Sequence, residues 1–429
     1  MSTFTSLYFQ VHQPYRLKDL RVTHIGAGEA LYFDDEKNRA IFRKVAEKCY
    51  LPANAVLLEL LRHNKDFAVS FSISGVFLDQ CHAYGEDVLD SFRALAKTEQ
   101  VEFLAETYYH SLSAVASLEE FCAQVKKHAD AIEELFGKRP TILRNTELIY
   151  RNELAEIARR MGFRGILAEG ADALLRDRTA NIPYTPAPVT LNKQQCKQIT
   201  AHRVERHVGR HAAFTGKPQA RTPKDMHVLL KNYRLSDDVA FRFSDKSWIG
   251  FPLFTETFAQ WIAESPGHCV NLFMDYETFG EHQWADTGIF DFLRTLPDAL
   301  KKKGVRTLTV SDVLKHWKPG NEQIFDAPEF MSWADTERDL SAWQGNEIQR
   351  SALQALYALE TAVKATGDLG LLETWRRLQT SDHFYYMCTK YWNDGDVHKY
   401  FSPYDSPYEA YRRFSHALCD LQLRLEKHA

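Results

Sequence analysis

Short apolar segments alternate with amphipathic helical segments from residue 4 to about residue 316 of the 429-residue chain. Helices that cover a sheet carry apolar residues at positions i, i+3, i+4 and i+7, as in NAVLLELLRHN, EDVLDSFRALAK and GIFDFLRTLPDALKK. Seven strands are predicted between them: Leu7 to His12, Phe67 to Ile73, Val101 to Glu106, Thr141 to Asn145, Gly165 to Glu169, Val270 to Tyr276 and Thr307 to Val310. This alternation is typical of repeated β/α units around a parallel sheet and predicts an α/β fold.

Two stretches break the alternation. Nine Lys or Arg residues stand against two acids between Asn192 and Lys231, with four histidines among them. We interpret residues 190–230 as a basic surface insertion, either a solvated loop or a contact for phosphate, nucleotide or polyanion. After His316, the segment KPGNEQIFDAPEF has the composition of a linker, and helical patterns dominate from Asn346 onward. The sequence therefore predicts a helical C-terminal subdomain that packs on the β/α domain.

Charge and cysteine usage restrict the compartment and the partners. The formal net charge of −4 provides no field to gather nucleic acid or an anionic membrane, which favours a neutral polar substrate. The seven cysteines are scattered singly without a C-x-x-C pair, as expected in a reducing compartment. We find no secretory signal pattern and no apolar run near the roughly 18 residues that span a bilayer. We expect a cytoplasmic protein with no membrane or nucleic-acid partner; the oligomeric state stays open.

Polar side chains crowd the positions where four predicted strands stop. In parallel β/α domains ligands bind at the carboxyl ends of the strands, so these side chains are the candidates for chemistry. They are His12 and Gln13 after the first strand, Glu106 and His110 at the third, Arg144 and Glu147 at the fourth, and Asp275, Glu277, His282 and Trp284 after the strand CVNLFM.

Two of these residues, Glu147 and Asp275, are carboxylates on separate strand ends. Hydrolysis of a glycosidic bond needs one carboxyl group to protonate the leaving oxygen and another to attack the sugar or activate water. A gap of roughly 5 to 5.5 Å between the two would give retention of configuration, and roughly 6.5 to 9.5 Å would give inversion. A helix N-cap or a loop salt bridge is the structural alternative for either carboxylate.

Other chemistries fit the pattern less well. His12, His110, His282, Asp275 and Glu277 include the ligand types of a hydrolytic zinc, yet no His-x-His or H-E-x-x-H spacing occurs among them. A serine nucleophile is disfavoured because the chain has no G-x-S-x-G elbow, and no cysteine has an evident base partner.

Four segments resemble conserved regions of glycoside hydrolase family 57, the group of α-amylases, 4-α-glucanotransferases and branching enzymes. They are YFQVHQPYRL, VEFLAETYYHSL, LRNTELIY and FMDYETFGEHQW. AEGADALL, NYRLSDDVAFRF, SDHFYYM and DGDVHKYFSPYDSPYEAY are similar to further segments of the α-amylase-like branch. The resemblance extends over nearly the whole chain, although the basic stretch is longer and more positive than the family pattern.

The resemblance implies a (β/α)7 barrel over residues 1–320, followed by a helical domain over residues 321–429 that helps to close the active site. It implies a retaining mechanism with no cofactor and no catalytic metal. Glu147 would be the nucleophile and Asp275 the general acid/base. We expect Arg144 to lower the pKa of Glu147 through its charge, and the surroundings of Asp275 to raise its pKa, because Asp275 must begin the reaction protonated.

The resemblance also implies a set of substrate-binding residues: His12, Gln13, Glu106, His110, Arg144, Glu277, His282, Trp284, Asp382, His383 and Tyr385. The last three are equally open to interpretation as a helix N-cap followed by core residues. His282 and Trp284 are similarly divided between a sugar platform and packing. Asp237, Asp238 and Arg242 are interpreted as a charged structural cluster near the site.

We therefore predict an α-1,4-glucan hydrolase of α-amylase type with an α-glucan or maltooligosaccharide substrate. Three alternatives remain open. The same residues could serve a 4-α-glucanotransferase or a branching enzyme; the chain could bind glucan without turnover; or a related barrel could perform metal-dependent hydrolysis or deacetylation.

Overall fold

The computed structural model describes residues 4–26, 32–204, 226–318, 323–390 and 397–428. Within these ranges the strands are β1 (Phe4–Val11), β2 (Val69–Ile73), β3 (Val101–Phe103), β4 (Ile142–Leu143), β5 (Gly165–Glu169), β6 (Thr185–Pro186), β7 (His227–Lys231), β8 (Cys269–Asp275), β9 (Arg306–Thr307) and β10 (Ile324–Phe325).

Seven of these strands, β1 to β5, β7 and β8, follow one another around a ring of parallel strands, and β9 pairs only with the start of β1. One sheet has the order β3-β2-β1-β8, with β9 beside β1, and a second has the order β4-β5-β7. A parallel bridge between Ala105 and Leu143 joins β3 to β4. Between β7 and β8, the Asn232 N–H donates to the Asn271 carbonyl at 2.9 Å, and the Asn271 amide donates to the Leu230 carbonyl at 3.0 Å. This order confirms the predicted (β/α)7 fold.

The ring separates two apolar layers, because successive side chains of a strand point to opposite faces. Tyr8 and Phe273 lie in the interior cluster with Leu167 and Leu229. Leu7, Phe9 and Val11 face outward into the core formed with the surrounding helices. Both faces are therefore buried, which explains why the strands read as nearly continuous apolar runs.

In the described ranges, five of the helices around the ring have a side-chain N-cap. Ser117 caps the longest of them by accepting from the Glu120 N–H, and Gly137 ends it in a left-handed conformation with φ 78°. The helices around the ring are α1 (Asp35–Val45), α2 (Leu51–His63), α3 (Gly75–Tyr84), α4 (Glu86–Ala96), α5 (Ser113–Ala116), α6 (Leu118–Phe136), α7 (Asn152–Met161), α8 (Asp172–Leu175), α9 (Lys193–Ala201), α10 (Tyr233–Ala240), α11 (Thr255–Glu264), α12 (Ile289–Lys302) and α13 (Val310–His316).

The remaining helices pack around an apolar core of Trp343, Trp375, Phe384 and Phe414, to which residues of the β/α part such as Leu112 also contribute. These helices are α14 (Ser341–Gln344), α15 (Glu347–Ala358), α16 (Glu360–Thr366), α17 (Leu369–Arg377), α18 (Ser381–Tyr385), α19 (Val397–Phe401) and α20 (Pro407–Glu426). Strand β10 pairs with β6, so the chain after residue 320 is attached to the β/α part. The domain boundary at residue 320 stays a prediction. No helix in the described ranges is long and apolar enough to cross a bilayer.

Two predictions about the barrel were wrong. Residues 227–231, placed by sequence in the basic insertion at 190–230, form the buried ring strand β7, and residues 193–201 form α9. Of the segment predicted as the strand Thr307 to Val310, only Thr307 belongs to the two-residue strand β9, and Val310 already begins helix α13. The short segment HVLLK was not predicted as a strand because basic residues dominate the composition of the stretch around it. Residues 205–225 of the predicted insertion lie outside the described residues.

Candidate active site

A cleft of about 740 Å³ is lined by residues from the carboxyl ends of the strands and from the C-terminal region. This volume lies within the range of roughly 300 to 1,000 Å³ that is usual for ligand sites. The polar residues that line it include Gln10, His12, Gln13, His110, Arg144, Glu147, Lys231, Asp237, Asp275, Glu277, His282, Asp335, Arg338, Asp382 and Tyr385, with the indole of Trp333 beside them.

Glu147 follows β4 in a strained 3-10 turn. It has a φ of 57°, and the next residue, Leu148, has a φ of 49°. Non-glycine residues rarely adopt such angles, which concentrate at functional sites. The turn directs the carboxylate into the cleft, where Oε1 accepts hydrogen bonds from His110 Nε2 at 3.1 Å and Ser381 Oγ at 3.4 Å. Oε2 accepts one from Trp333 Nε1 at 2.7 Å.

The pKa of Glu147 reflects opposing influences. Burial raises it, but the hydrogen bond and charge of His110, the charge of Arg144 and the Trp333 hydrogen bond together lower it below the ordinary value. The predicted influence of Arg144 therefore has the right direction, while His110 contributes more. Glu147 is held as a carboxylate, the form that a nucleophile needs.

His110 connects two carboxylates across its ring. Its Nδ1 is 2.8 Å from Glu106 Oε2, and its Nε2 faces Glu147. Although burial lowers the pKa of His110, these two partners raise it to about 9. Burial raises the pKa of Glu106, but His110, His128 and Arg144 bring it down to about 2. His110 is therefore an imidazolium that donates to a carboxylate on either side.

The ring of His12 stacks on that of His110, with centroids 3.9 Å apart and an interplanar angle of 20°. Burial and the charge of His110 lower the pKa of His12, so the pair consists of one neutral and one charged ring. His12 Nε2 lies 2.9 Å from Asp382 Oδ2, and Nδ1 lies 2.7 Å from Ser74 Oγ. Asp382 belongs to α18, so this contact ties the C-terminal region to the barrel.

Asp275 ends β8, directly opposite Gln10 of β1 in the strand register. Burial and the negative charge of Glu147 raise its pKa to about 6, against the lowering influence of Arg144 and Lys231. The direction is the one predicted for a general acid. The cleft therefore contains Glu147, which is held as a carboxylate, and Asp275, which keeps its proton to a higher pH than an ordinary aspartic acid.

A sequence model of Glycosyl hydrolase family 57 matches residues 6–192 and 206–328. The chain belongs to glycoside hydrolase family 57. A Methanocaldococcus jannaschii protein named "Putative alpha-amylase" is 38% identical over 98% of this chain and 84% of its own length. Two solved structures share the fold. A Thermococcus kodakaraensis branching enzyme has a TM-score of 0.62 at 15% identity, covering 97% of this chain and 89% of its own. For a Thermococcus litoralis 4-alpha-glucanotransferase the TM-score is 0.60 at 14% identity, and the match covers 90% of this chain but only 56% of that longer enzyme.

Most of the predicted binding residues of this family 57 chain line the cleft, but three do not. Glu106 lies behind His110 and is fully buried. The ring of His383 packs against Phe414, and its Nε2 faces the Arg377 carbonyl at 3.2 Å. Trp284 is 59% exposed beside the cleft, with Lys48 Nζ 5.2 Å from its ring. Glu106, His383 and Trp284 are therefore not among the residues that line the described cleft, and their direct contact with substrate stays a prediction.

The other predicted binding residues have distinct surroundings. The Tyr50 hydroxyl donates to Glu277, and burial together with the charge of Asp275 raises the pKa of Glu277 to about 8. Gln13 donates to the same hydroxyl at 3.2 Å. His282 packs against Phe401 of α19 with centroids 5.4 Å apart. Tyr385 also lines the cleft. Whether these side chains bind substrate stays a prediction.

Several residues that line the cleft of this family 57 chain were not predicted from the sequence. Trp333 and Arg338 come from the segment that was interpreted as a linker and its continuation, and Lys231 ends the unrecognised strand β7. Asp237, interpreted as structural, lines the cleft and lies 3.0 Å from Lys231 Nζ. The available signal was a tryptophan in an irregular segment just after the run DAPEF, since binding and catalytic residues are often carried on loops.

No three His, Cys, Asp or Glu side chains come together as a metal site within the part of the chain that the structure describes. His12 and His110 are adjacent, but their ring nitrogens face Ser74, Asp382, Glu106 and Glu147.

Proposed function

We propose that this family 57 chain is a retaining glycoside hydrolase of α-amylase type that cleaves α-1,4-glucans, with Glu147 as nucleophile and Asp275 as general acid/base. The observation that carries the proposal is the opposite pKa shift of two carboxyl groups in one cleft. The pKa of Glu147 is lowered, whereas the pKa of Asp275 is raised to about 6. Such a divergence supports Asp275 as the acid and Glu147 as the nucleophile of a glycosidase.

The reaction proceeds in two displacements. Asp275 gives its proton to the glycosidic oxygen while a Glu147 oxygen attacks the anomeric carbon, so the bond to the leaving glucan breaks and a glycosyl ester forms. Asp275, now a carboxylate, then takes a proton from water as that water attacks the same carbon. The electron pair of the ester bond returns to Glu147, and both groups recover their starting states.

The substrate class is supported by the lining of the cleft and by the α-amylase name of the relative. Neutral sugar hydroxyls suit a cleft in which charged side chains of both signs alternate with aromatic ones. We further propose that the protein works in the cytoplasm without a metal, cofactor or nucleic-acid partner. All seven cysteines are free, in agreement with a reducing compartment.

The direct experiment follows maltoheptaose by proton NMR at early times. We expect the α-anomer of the new reducing end to appear first and mutarotate later, since two displacements retain configuration. Glu147→Gln should remove this signal. Glu156→Gln is the matched control, because Glu156 lies outside the cleft and pairs with Arg159 and Arg160. Initial formation of the β-anomer would contradict the retaining mechanism, and absence of any cleavage would contradict the hydrolase.

Transfer to a second glucan is the competing activity, favoured by aromatic side chains at the cleft. Phe241 is 57% exposed and Tyr400 is 64% exposed, and both line the cleft with Phe401. Exposed rings of this kind bind the apolar faces of sugars and could retain an acceptor chain. Chromatography of maltoheptaose digests separates the two: only shorter products indicate hydrolysis, while longer products indicate transfer.

A further inference from the structure

Trp333 contacts the proposed nucleophile through both its side chain and its backbone. The indole Nε1–H donates to Glu147 Oε2 at 2.7 Å, and the backbone N–H of Trp333 donates to the Glu147 carbonyl at 3.3 Å. The indole bond is within the distance range of a charge-assisted hydrogen bond. It approaches the oxygen that His110 leaves free, so the two donors occupy different oxygens of one carboxylate.

Two cations lie next to the same indole ring. Arg144 Cζ is 5.0 Å and Lys231 Nζ is 5.2 Å from the ring centroid. Arg144 is fully buried, and none of its guanidinium nitrogens has a hydrogen-bond partner in the described structure. Positive charge near the ring polarises the indole N–H, which strengthens it as a donor to a carboxylate.

The loop of residues 331–340, which we call the Trp333 loop, is fixed to the barrel. Arg338 donates to the Trp333 carbonyl, and its guanidinium lies 3.5 Å from Glu169, the last residue of β5. The Ser332 N–H donates to the Arg338 carbonyl at 3.0 Å. Asp335 and Arg338 have φ values of 52° and 55°. Such backbone angles persist only where the surrounding contacts impose them, which indicates a loop built to hold one conformation.

We propose that Trp333 is a positioning residue for Glu147 whose indole N–H stabilises the charge returning to that carboxylate when the glycosyl ester is hydrolysed. The inference rests on the proposed retaining mechanism. In the second displacement the oxygen of water bonds to the anomeric carbon, its proton goes to Asp275, and the ester electron pair goes to Glu147. A fixed donor at Oε2 lowers the energy of this developing carboxylate. It gives no such advantage to the first displacement, in which the carboxylate loses charge.

The experiment uses an aryl α-maltooligoside with a good leaving group, which makes hydrolysis of the glycosyl enzyme the slow step. Trp333→Phe keeps an aromatic ring but loses the donor. Trp333→His keeps a donor, because imidazole Nε2 occupies the same place in its five-membered ring as indole Nε1, but it loses more packing. We expect the steady-state rate after the burst to fall roughly ten- to a hundredfold in Trp333→Phe, with KM falling in parallel, and to recover partly in Trp333→His.

Trp343→Phe is the matched control. Trp343 is buried in the apolar core of the C-terminal helices, and its Nε1 has no hydrogen-bond partner in the described residues, so the same substitution there removes no bond to a carboxylate. We expect it to leave the burst and the steady-state rate unchanged.

Three outcomes would overturn the inference. A purely structural role for Trp333 predicts the reverse order, with Trp333→His more impaired than Trp333→Phe. Equal loss in the burst rate and the steady-state rate would show that the donor does not favour the second displacement. If the wild type releases aryl alcohol without forming a covalent glycosyl enzyme detectable by mass spectrometry, the proposed function itself fails, and the inference fails with it.

Discussion

The surroundings of Glu147 and Asp275 differ although both carboxyl groups are buried in the same cleft. Glu147 accepts hydrogen bonds from a barrel residue, His110, and from Ser381 and Trp333 of the C-terminal region. The pKa of Asp275 is governed by burial and by the charge of Glu147. Hydrogen-bond donors favour the ionised form of Glu147, and desolvation favours the protonated form of Asp275. These two effects are sufficient to give an acid and a nucleophile different pKa values. The C-terminal region therefore affects Glu147 more directly than Asp275.

The prediction with the largest expected effect compares two substrates that differ in their leaving group. Glu147→Gln should reduce turnover by more than about 10⁴-fold on every substrate, because it removes the proposed nucleophile. Asp275→Asn should reduce turnover of maltoheptaose by about 10² to 10⁴, but much less for release of a good aryl leaving group, which needs no protonation. Kinetics with both substrates provide the measurement. Equal loss in the two variants on aryl substrates would remove the distinction between the residues.

His110→Gln should change the pKa of Glu147 more than that of Asp275. It removes the charged donor that is the main influence lowering the pKa of Glu147, and only a minor influence on the pKa of Asp275. We expect kcat/KM to fall about a hundredfold, and the acid limb of its pH profile to move upward more than the alkaline limb. His63→Gln, at an exposed helix position, is the control. An acid limb that stays in place would show that His110 does not keep Glu147 ionised.

Arg144→Met should instead change the pKa of Asp275 more than that of Glu147. Arg144 is the main group that lowers the pKa of Asp275, and it ranks behind His110 for Glu147. In the wild type we expect kcat/KM to decline as the pH rises through about 6, since Asp275 loses its proton there. The variant should move this alkaline limb upward more than the acid limb, with a smaller loss of rate than His110→Gln. Movement of the acid limb alone would contradict this assignment.

The smallest expected effect concerns the attachment of the Trp333 loop to α19. His398 Nε2 lies 3.0 Å from Asp335 Oδ1, and despite burial this pair raises the pKa of His398 to about 9. The folded pKa exceeds the unfolded value of about 6.5, so the stabilisation is complete below pH 6.5 and disappears as the pH rises through 9. His398→Gln should therefore lower Tm by roughly 2 to 4 °C at pH 6 and by less at pH 9.5. A Tm difference that does not vary with pH would contradict the ion pair, and the exposed His316→Gln variant is the control.

The sequence predictions succeeded where the signal lay in a short, local pattern of residues, and were incomplete where that pattern was weak or the outcome depended on distant contacts. The strand ends at His12, His110, Glu147 and Asp275 were found because a parallel ring brings all of its carboxyl ends to one face. Strand β7 was missed because five residues between basic flanks give little periodicity. Glu106 and His383 were placed in direct contact with substrate, although their side chains point to His110 and to Phe414. Strand ends predict proximity, whereas side-chain direction depends on packing.

The sequence by itself determined the alternation of strands and helices, the family and the candidate pair of carboxyl groups. These depend on periodicity and on short motifs, which are local properties of the chain. Only the tertiary structure decided which groups produce the pKa difference between Glu147 and Asp275. That difference depends mainly on His110, which lies 37 residues from Glu147 in the chain, and further on Trp333, which lies 186 residues from it. Desolvation and hydrogen-bond geometry arise only when distant segments pack together, and no local pattern encodes them.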